Sequence, residues 1–189
     1  MHRTREQLEA GLAAVRASPR DHGTIELITY RPAPGERAVV EVATLDLAAG
    51  MIGDSWNVRP SKRTPDHSPH PDMQLTLMNA RVIALVAGER DRWQLAGDQL
   101  YVDLALGADN LPPGTELQIG ETVVMVTDQP HTGCAKFTER FGSDASRWIN
   151  SPDGRALNLR GVNARVVVPG QVRRGDPVRK RAGSSIISI

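Results

Sequence analysis

"TELQIGETVVMVT", residues 115–127, decides how the rest of the chain is read. Two runs of strand-forming residues, "TELQI" and "TVVMVT", meet at Gly120-Glu121. Glycine at the first position of a two-residue connection suits the type II′ turn, whose geometry matches the twist of paired strands. A β-hairpin is therefore expected here. Outward from it the same signals recur. "TIELITY" (Thr24 to Tyr30) and "RAVVEVATLDL" (Arg37 to Leu47) flank the turn "RPAPGE" and are expected to pair as an early hairpin. "MQLTLM" (Met73 to Met78), "NARVVVPG" (Asn163 to Gly170) and "DPVRK" (Asp176 to Lys180) read as further strands.

Helical signals are fewer and shorter. Thr4 and Gln7 form a capping box ahead of Leu8, Leu12 and Val15, which share one face, and Ser18-Pro19 stops the run. Asn79 caps a helix over "ARVIALVAG" that Gly88 ends, and another turn or two precedes Gly97. "SDASRWIN" (Ser143 to Asn150) is a short helix and "SPDGR" a turn. Many short strands, turns built on glycine and proline, and few helices give a mostly β fold class, an antiparallel β-barrel decorated by short helices. The chain shows no internal repeat.

Composition narrows the function. The 189 residues suffice for one domain with its own core. Lys and Arg number 23 against 22 Asp and Glu, so no global field favours nucleic acid or an anionic membrane, and neither is an expected partner. A single cysteine forms no internal disulfide, and the N-terminal stretch lacks the apolar run of a secretory signal, so a cytoplasmic location is expected. "RPSKRTPDHSPHPD" (Arg59 to Asp72), with four prolines, reads as an exposed loop that either borders a site entrance or is poorly ordered.

That one cysteine, Cys134, lies in "DQPHTGCAKFTERFG" with His131, Lys136 and Arg140 close by. A buried structural cysteine packs among apolar groups, whereas these neighbours are charged, hydroxylic or glycine. Cations favour a thiolate, which is both the nucleophile and the metal ligand. Gly133 permits close approach of a ligand to the backbone. The competing reading makes Cys134 a small loop residue and His131 a surface histidine. "NLRGVNAR" adds Asn158, Arg160 and Arg165, with Arg155 just before, as groups able to hold a phosphate, Arg160 first among them. Asp66, His67, His70 and Asp72 have no ligand spacing and sit among prolines, so they read as loop residues, and "PAPGER" lacks the spacing and lysine of a phosphate loop.

Three segments, "GDQLYVDLALGADNLPPGTELQIG" (Gly97 to Gly120), "PHTGCAKFTERFG" (Pro130 to Gly142) and "LNLRGVNARVVVPGQVRRGDPV" (Leu157 to Val178), resemble the MOSC domain, named for the C-terminal part of molybdenum cofactor sulfurase, and in particular its small stand-alone bacterial members. The resemblance implies a β-barrel over residues 23–180, preceded by a helical appendage at 1–22 and followed by a tail at 181–189. It also implies binding of the pterin-based molybdenum cofactor (molybdopterin), or carriage of sulfur as a persulfide, with Cys134 at the family's cysteine position. His131 and Lys136 would assist Cys134, while Arg160, Asn158, Arg155, Arg165 and Gly133 would bind the cofactor. Relatives include reductases of N-hydroxylated bases, and the mitochondrial amidoxime reducing component has a similar domain. Asp103 and Asn110 match positions the family tends to keep polar. The chain has no flavin, haem or iron-sulfur motif, so a small-molecule reduction needs an electron-donor reductase as partner, and sulfur carriage needs a separate desulfurase. PLP, the cofactor of the multidomain sulfurase, is not expected to bind this chain. A different class of function, a non-catalytic binding or regulatory module docking through the tail and its Ile186, Ile187 and Ile189, stays open beside these; a solvated tail is the plainer reading.

Overall fold

The structure, a computed structural model, describes residues 2–181. Eleven strands and four α-helices follow one another as α1 (Arg5–Arg16), β1 (Gly23–Tyr30), β2 (Ala38–Val40), β3 (Val42–Asp46), β4 (Gly50–Met51), β5 (Leu75–Asn79), α2 (Ala80–Ala87), β6 (Leu100–Asp103), β7 (Glu116–Ile119), β8 (Thr122–Val126), α3 (Ala135–Ile149), α4 (Pro152–Ala156), β9 (Val162–Val168), β10 (Gly170–Arg173) and β11 (Pro177–Lys180). The predicted tail contacts at Ile186, Ile187 and Ile189 lie outside the described residues.

The order β1-β11-β7-β8-β9-β5-β6 returns to β1, so seven strands close into a barrel. Closure removes the open edges of the sheet. Each neighbouring pair is antiparallel except β5 and β6, which run parallel with Leu77 opposite Leu100. The predicted hairpin around Gly120-Glu121 pairs Ile119 with Thr122, and Gly120 has φ 54°. The early hairpin is shorter than expected. Only Ala38–Val40 pair with β1; past Glu41 the chain enters β3, which joins β4 and β10 in a separate three-stranded sheet. After β9 ends at Val168, the separate strand β10 runs from Gly170, where the sequence reading had placed an end, to Arg173.

Period-two alternation divides the side chains between two cores. Leu75, Leu77, Leu100 and Val102 fill the barrel, while Met78 and Tyr101, on the other face of the same strands, pack against the helices with Val82, Ile83, Phe137 and Trp148. Helix α1 joins this outer core through Leu8, which is fully buried, and its capping box forms as read, with Thr4 and Gln7 exchanging hydrogen bonds of 3.3 and 3.1 Å. Asn79 caps α2 by accepting from Arg81 and Val82, and Gly88 ends it at φ 73°. The Pro152–Ala156 segment is one helical turn capped by Ser151, where a plain turn was expected. No helix among the described residues is long and apolar enough to cross a membrane.

Gly161, the residue before β9, has φ 107°, and a Cβ there would overlap the carbonyl oxygen of Leu77. Gly161→Ala is therefore expected to cost roughly 3 kcal/mol or more in urea unfolding. Gly114→Ala, with φ 91° but nothing within 4 Å, should cost only about 1 kcal/mol.

Candidate functional site

Cys134 precedes α3 in extended conformation, φ −109° and ψ 176°, and its thiol is exposed. Its carbonyl accepts from the backbone N–H of Thr138 at 3.1 Å, the first bond of the helix. The helical path runs to Phe141 and breaks at Gly142, which has φ 90°. The stretch after Cys134 is thus helical, and the helix sets where Arg140 points. Lys136 and Arg140, four residues apart, share one helix face, and Phe137 and Phe141 anchor the buried face with ring centroids 4.8 Å apart.

Lys136, Arg140 and Cys134 border a cavity of about 360 Å³. Arg31, Arg37, Arg59 and Arg160 line it as well, with His131. Two of these cations are neutralised. Asp54, whose side chain is fully buried, receives Arg31 through Nη2 at 2.7 Å and Nε at 2.9 Å. Asp98, equally buried, receives Arg160 Nη1 at 2.6 and 2.9 Å on its two oxygens and the Nε2 of His131 at 2.8 Å. Among the described residues, Arg37, Arg59, Lys136 and Arg140 have no carboxylate partner. Burial, together with Arg140, Arg31 and Arg59, weakens the hold of Arg37 on its proton, and burial with Arg31 does the same to Arg59. Like charges crowd here at the edge of a desolvated space. Such a cavity attracts anions.

Burial opposes ionisation of Asp98, but Arg160 and His131 overcome it and hold the carboxyl below the usual carboxylate range. Burial and the Arg160 charge push the His131 imidazole down, against the pull of Asp98. The ring is therefore neutral near pH 7, with Nε2–H donated to Asp98 and Nδ1 left as an acceptor.

The structure brings Cys134, His131, Lys136 and Arg160 to one cavity. Arg160 reaches it already engaged: besides Asp98 it donates to the Ala96 carbonyl at 3.0 Å and lies 5.2 Å from the Phe137 ring centroid. The other residues named for the cofactor lie elsewhere. Asn158, at φ 47°, donates to the Leu106 carbonyl; Arg155 donates to the Asn150 carbonyl; Arg165, on β9, pairs with Asp72 at 3.2 Å. Gly133 donates to Asn150 Oδ1, and the close approach its lack of Cβ allows is to Ile149 and Asn150. Asp103 pairs with Arg81, and Asn110 bridges the Arg20 and Ala105 carbonyls. His70 caps a short turn by accepting from Asp72, and no group of three or more His, Cys, Asp or Glu able to hold a metal occurs among the described residues.

Arg31, Arg37, Arg59 and Asp98 were missed. Arg31 and Arg37 bracket the "PAPGE" turn, and Arg59 opens the proline-rich loop, whose Pro60, Ser61, Pro69 and His70 line an adjoining chamber. The loop thus borders the site, one of its two expected fates. Arginines concentrated at strand ends and loop starts were the available signal.

A family model described as "MOSC domain" matches residues 64–179. The fold is similar to that of the YuaD protein from Bacillus subtilis (TM-score 0.62, 17% identity, covering 86% of this chain and 97% of that one). It is also similar to YiiM from Escherichia coli (TM-score 0.53, 20% identity, 86% and 71%) and YiiM from Geobacillus stearothermophilus (TM-score 0.56, 16% identity, 88% and 80%). No curated protein matches by sequence.

The neutral His131 predicts an acid-labile fold. Because its native proton affinity is depressed, the unfolded chain binds the extra proton first, so stability is full above about pH 6.5 and falls as pH drops below it. Urea unfolding at a series of pH values should show this slope, and His131→Gln should flatten it. Asp98→Asn, which strands Arg160, should cost about 3–5 kcal/mol at pH 7.

Proposed function

The chain belongs to the MOSC domain family, and on that premise we propose that Cys134 and its cationic cavity hold a pterin-based molybdenum cofactor in a protein that reduces N-hydroxylated or related small molecules. The observation that carries this reading is an exposed thiol facing a cavity in which four cations lack a carboxylate partner. The donor set suits the group. A thiolate is a soft ligand for molybdenum, and arginine matches the geometry of a phosphate. Arg37 Nε and Arg160 Nε, both on cavity residues, are buried N–H groups without a hydrogen-bond acceptor, as expected of donors intended for a ligand.

Each part of the chain then has a task. Cys134 supplies the protein's sulfur ligand. Arg37, Arg59, Lys136 and Arg140 hold the anionic end and exclude competing cations. Asp98 fixes the His131 tautomer so that Nδ1 accepts a proton while Nε2 keeps its own. The bound cofactor supplies two-electron chemistry at an N–O bond, which consumes two protons and releases water. The electrons come from a separate reductase, because the chain carries no other redox motif.

The exposure of Cys134 also favours a second reading, sulfur carriage as a persulfide loaded by a desulfurase. Metal and pterin analysis of protein made in a host that synthesises the cofactor separates the two. Near-stoichiometric molybdenum in the wild type, lost in Cys134→Ser, is expected. Arg37→Ala or Arg140→Ala should weaken retention about tenfold or more, the worth of a charge-assisted hydrogen bond of about 1.5–3 kcal/mol. Molybdenum absent from all forms would remove the cofactor reading and leave persulfide transfer or a binding module.

A further inference from the structure

Beside the Cys134 cavity lies a second chamber of about 230 Å³. The two share Arg31, Arg59, Thr76 and His131, so His131 stands on the wall between them. The rest of the lining differs in character. Trp56, Pro60, Pro69 and Met73 give it apolar surface, and no carboxylate lines it among the described residues. Its outer wall is the proline-rich loop, which Arg63 ties to Gln129 Oε1 at 3.1 Å.

One polar group in this chamber is out of balance. Asn163, on β9, is fully buried, and its Nδ2 donates to the Gln129 carbonyl at 3.1 Å. That bond fixes which end of the amide is which. The other end, Oδ1, has no hydrogen-bond partner among the described residues. A buried acceptor left unmatched costs about 1–3 kcal/mol, so such a group persists where a ligand donor meets it. The neighbouring polar atoms have the same preference. Thr76 donates its hydroxyl hydrogen to Gln99 Oε1, leaving lone pairs, and His131 donates Nε2–H to Asp98, leaving Nδ1. Three of the lining residues thus carry spare acceptors, beside the guanidiniums of Arg31 and Arg59.

We propose that this chamber binds a planar ring bearing an N–H donor and no positive charge, with Trp56 as its aromatic wall and Asn163 Oδ1 as the acceptor that reads the N–H group. A volume below that of drug-sized pockets takes one ring or a fused pair. Trp56 and the prolines favour a flat, apolar face. A cationic ring is repelled by Arg59, which lines this chamber as well as the Cys134 cavity and has no carboxylate partner among the described residues. The assignment of this ring to the molecule reduced at Cys134 rests on the function proposed above; binding of the ring does not.

The test uses the full chain without added cofactor and two ring-matched probes, benzamide and methyl benzoate. Of the three tryptophans, Trp93 and Trp148 are buried, so quenching of Trp56 fluorescence reads the chamber, with saturation-transfer NMR as a second measure. Saturable benzamide binding, at least tenfold tighter than methyl benzoate, is expected. Asn163→Leu should reduce that preference to below about threefold, and Trp56→Ala should weaken benzamide and methyl benzoate alike. Equal binding of benzamide and methyl benzoate, or no saturable binding, overturns the proposal on wild-type protein alone, whether or not Asn163→Leu folds. Cys134→Ser should leave benzamide binding unchanged. Benzamide bound by a chain that retains no molybdenum upholds the chamber and removes the cofactor reading, and molybdenum retained without benzamide binding does the reverse.

Discussion

A carboxylate with no exposure to solvent must be compensated where it stands, and Asp98 is held from two directions, by the charge of Arg160 and by a hydrogen bond from the neutral His131. Arg160 approaches just ahead of β9, and His131 comes from the segment that leads into Cys134. Removing Arg160 leaves the Asp98 charge buried without its counter-charge, a loss of several kcal/mol, and removing His131 takes away a hydrogen bond to that charge. The pairing therefore ties the residues before the thiol to the barrel wall. It also fixes the His131 tautomer and occupies Arg160, which would otherwise be one more free cation in the cavity. The position of the thiol, the state of the imidazole and the charge count around them all follow from this carboxylate.

The fold explains why Asp98 is available there. Strands β5 and β6 are parallel, and a parallel pair needs a crossover, here α2 and the 3₁₀ turn Arg90–Ala96. The crossover brings the chain back to the end of the barrel where β5 began, and Gly97, at φ 85°, turns it into β6. Asp98 and Gln99 sit at that return, with Gln99 accepting from Thr76 and the Asp98 carbonyl accepting from Thr29. Strand β1 runs antiparallel to β6, so its C-terminal end and Arg31 arrive at the same place, where Arg31 also reaches the Gly97 carbonyl at 3.4 Å. The one departure from antiparallel pairing is what gathers Thr76, Asp98 and Arg31 around the cavity.

This division between local and distant causes also sets what could be read in advance. The Gly120-Glu121 hairpin, the Thr4 capping box, the Asn79 cap and the Gly88 stop each depend on residues within a few positions, and each formed as expected. The sheet of β3, β4 and β10 depends on Leu45 meeting Gly170, more than a hundred residues on, and no short-range pattern announces it. The site divides in the same way. Lys136 and Arg140 were legible beside Cys134 because one helix carries them, although glycines at 133 and 142 disguised that helix as a loop. Phe137 and Phe141, four apart, were the clue to it. Arg31, Arg37 and Arg59 come from about 75 to 100 residues away, and barrel closure alone brings them to the thiol.

Concentrating cations at a partly desolvated surface raises the free energy of the folded chain, and the weakened hold of Arg37 and Arg59 on their protons is a direct sign of it. The barrel imposes that cost before any ligand arrives. An anion entering the cavity relieves the repulsion among the guanidiniums and gains its own attraction to them, without reorganising the scaffold. The chamber beyond His131 stores a different imbalance, an unmatched acceptor in an apolar space. One compartment favours an anion and the other presents an acceptor to an N–H donor, Arg59 borders both, and His131, held neutral by its surroundings, stands between them without adding to either field.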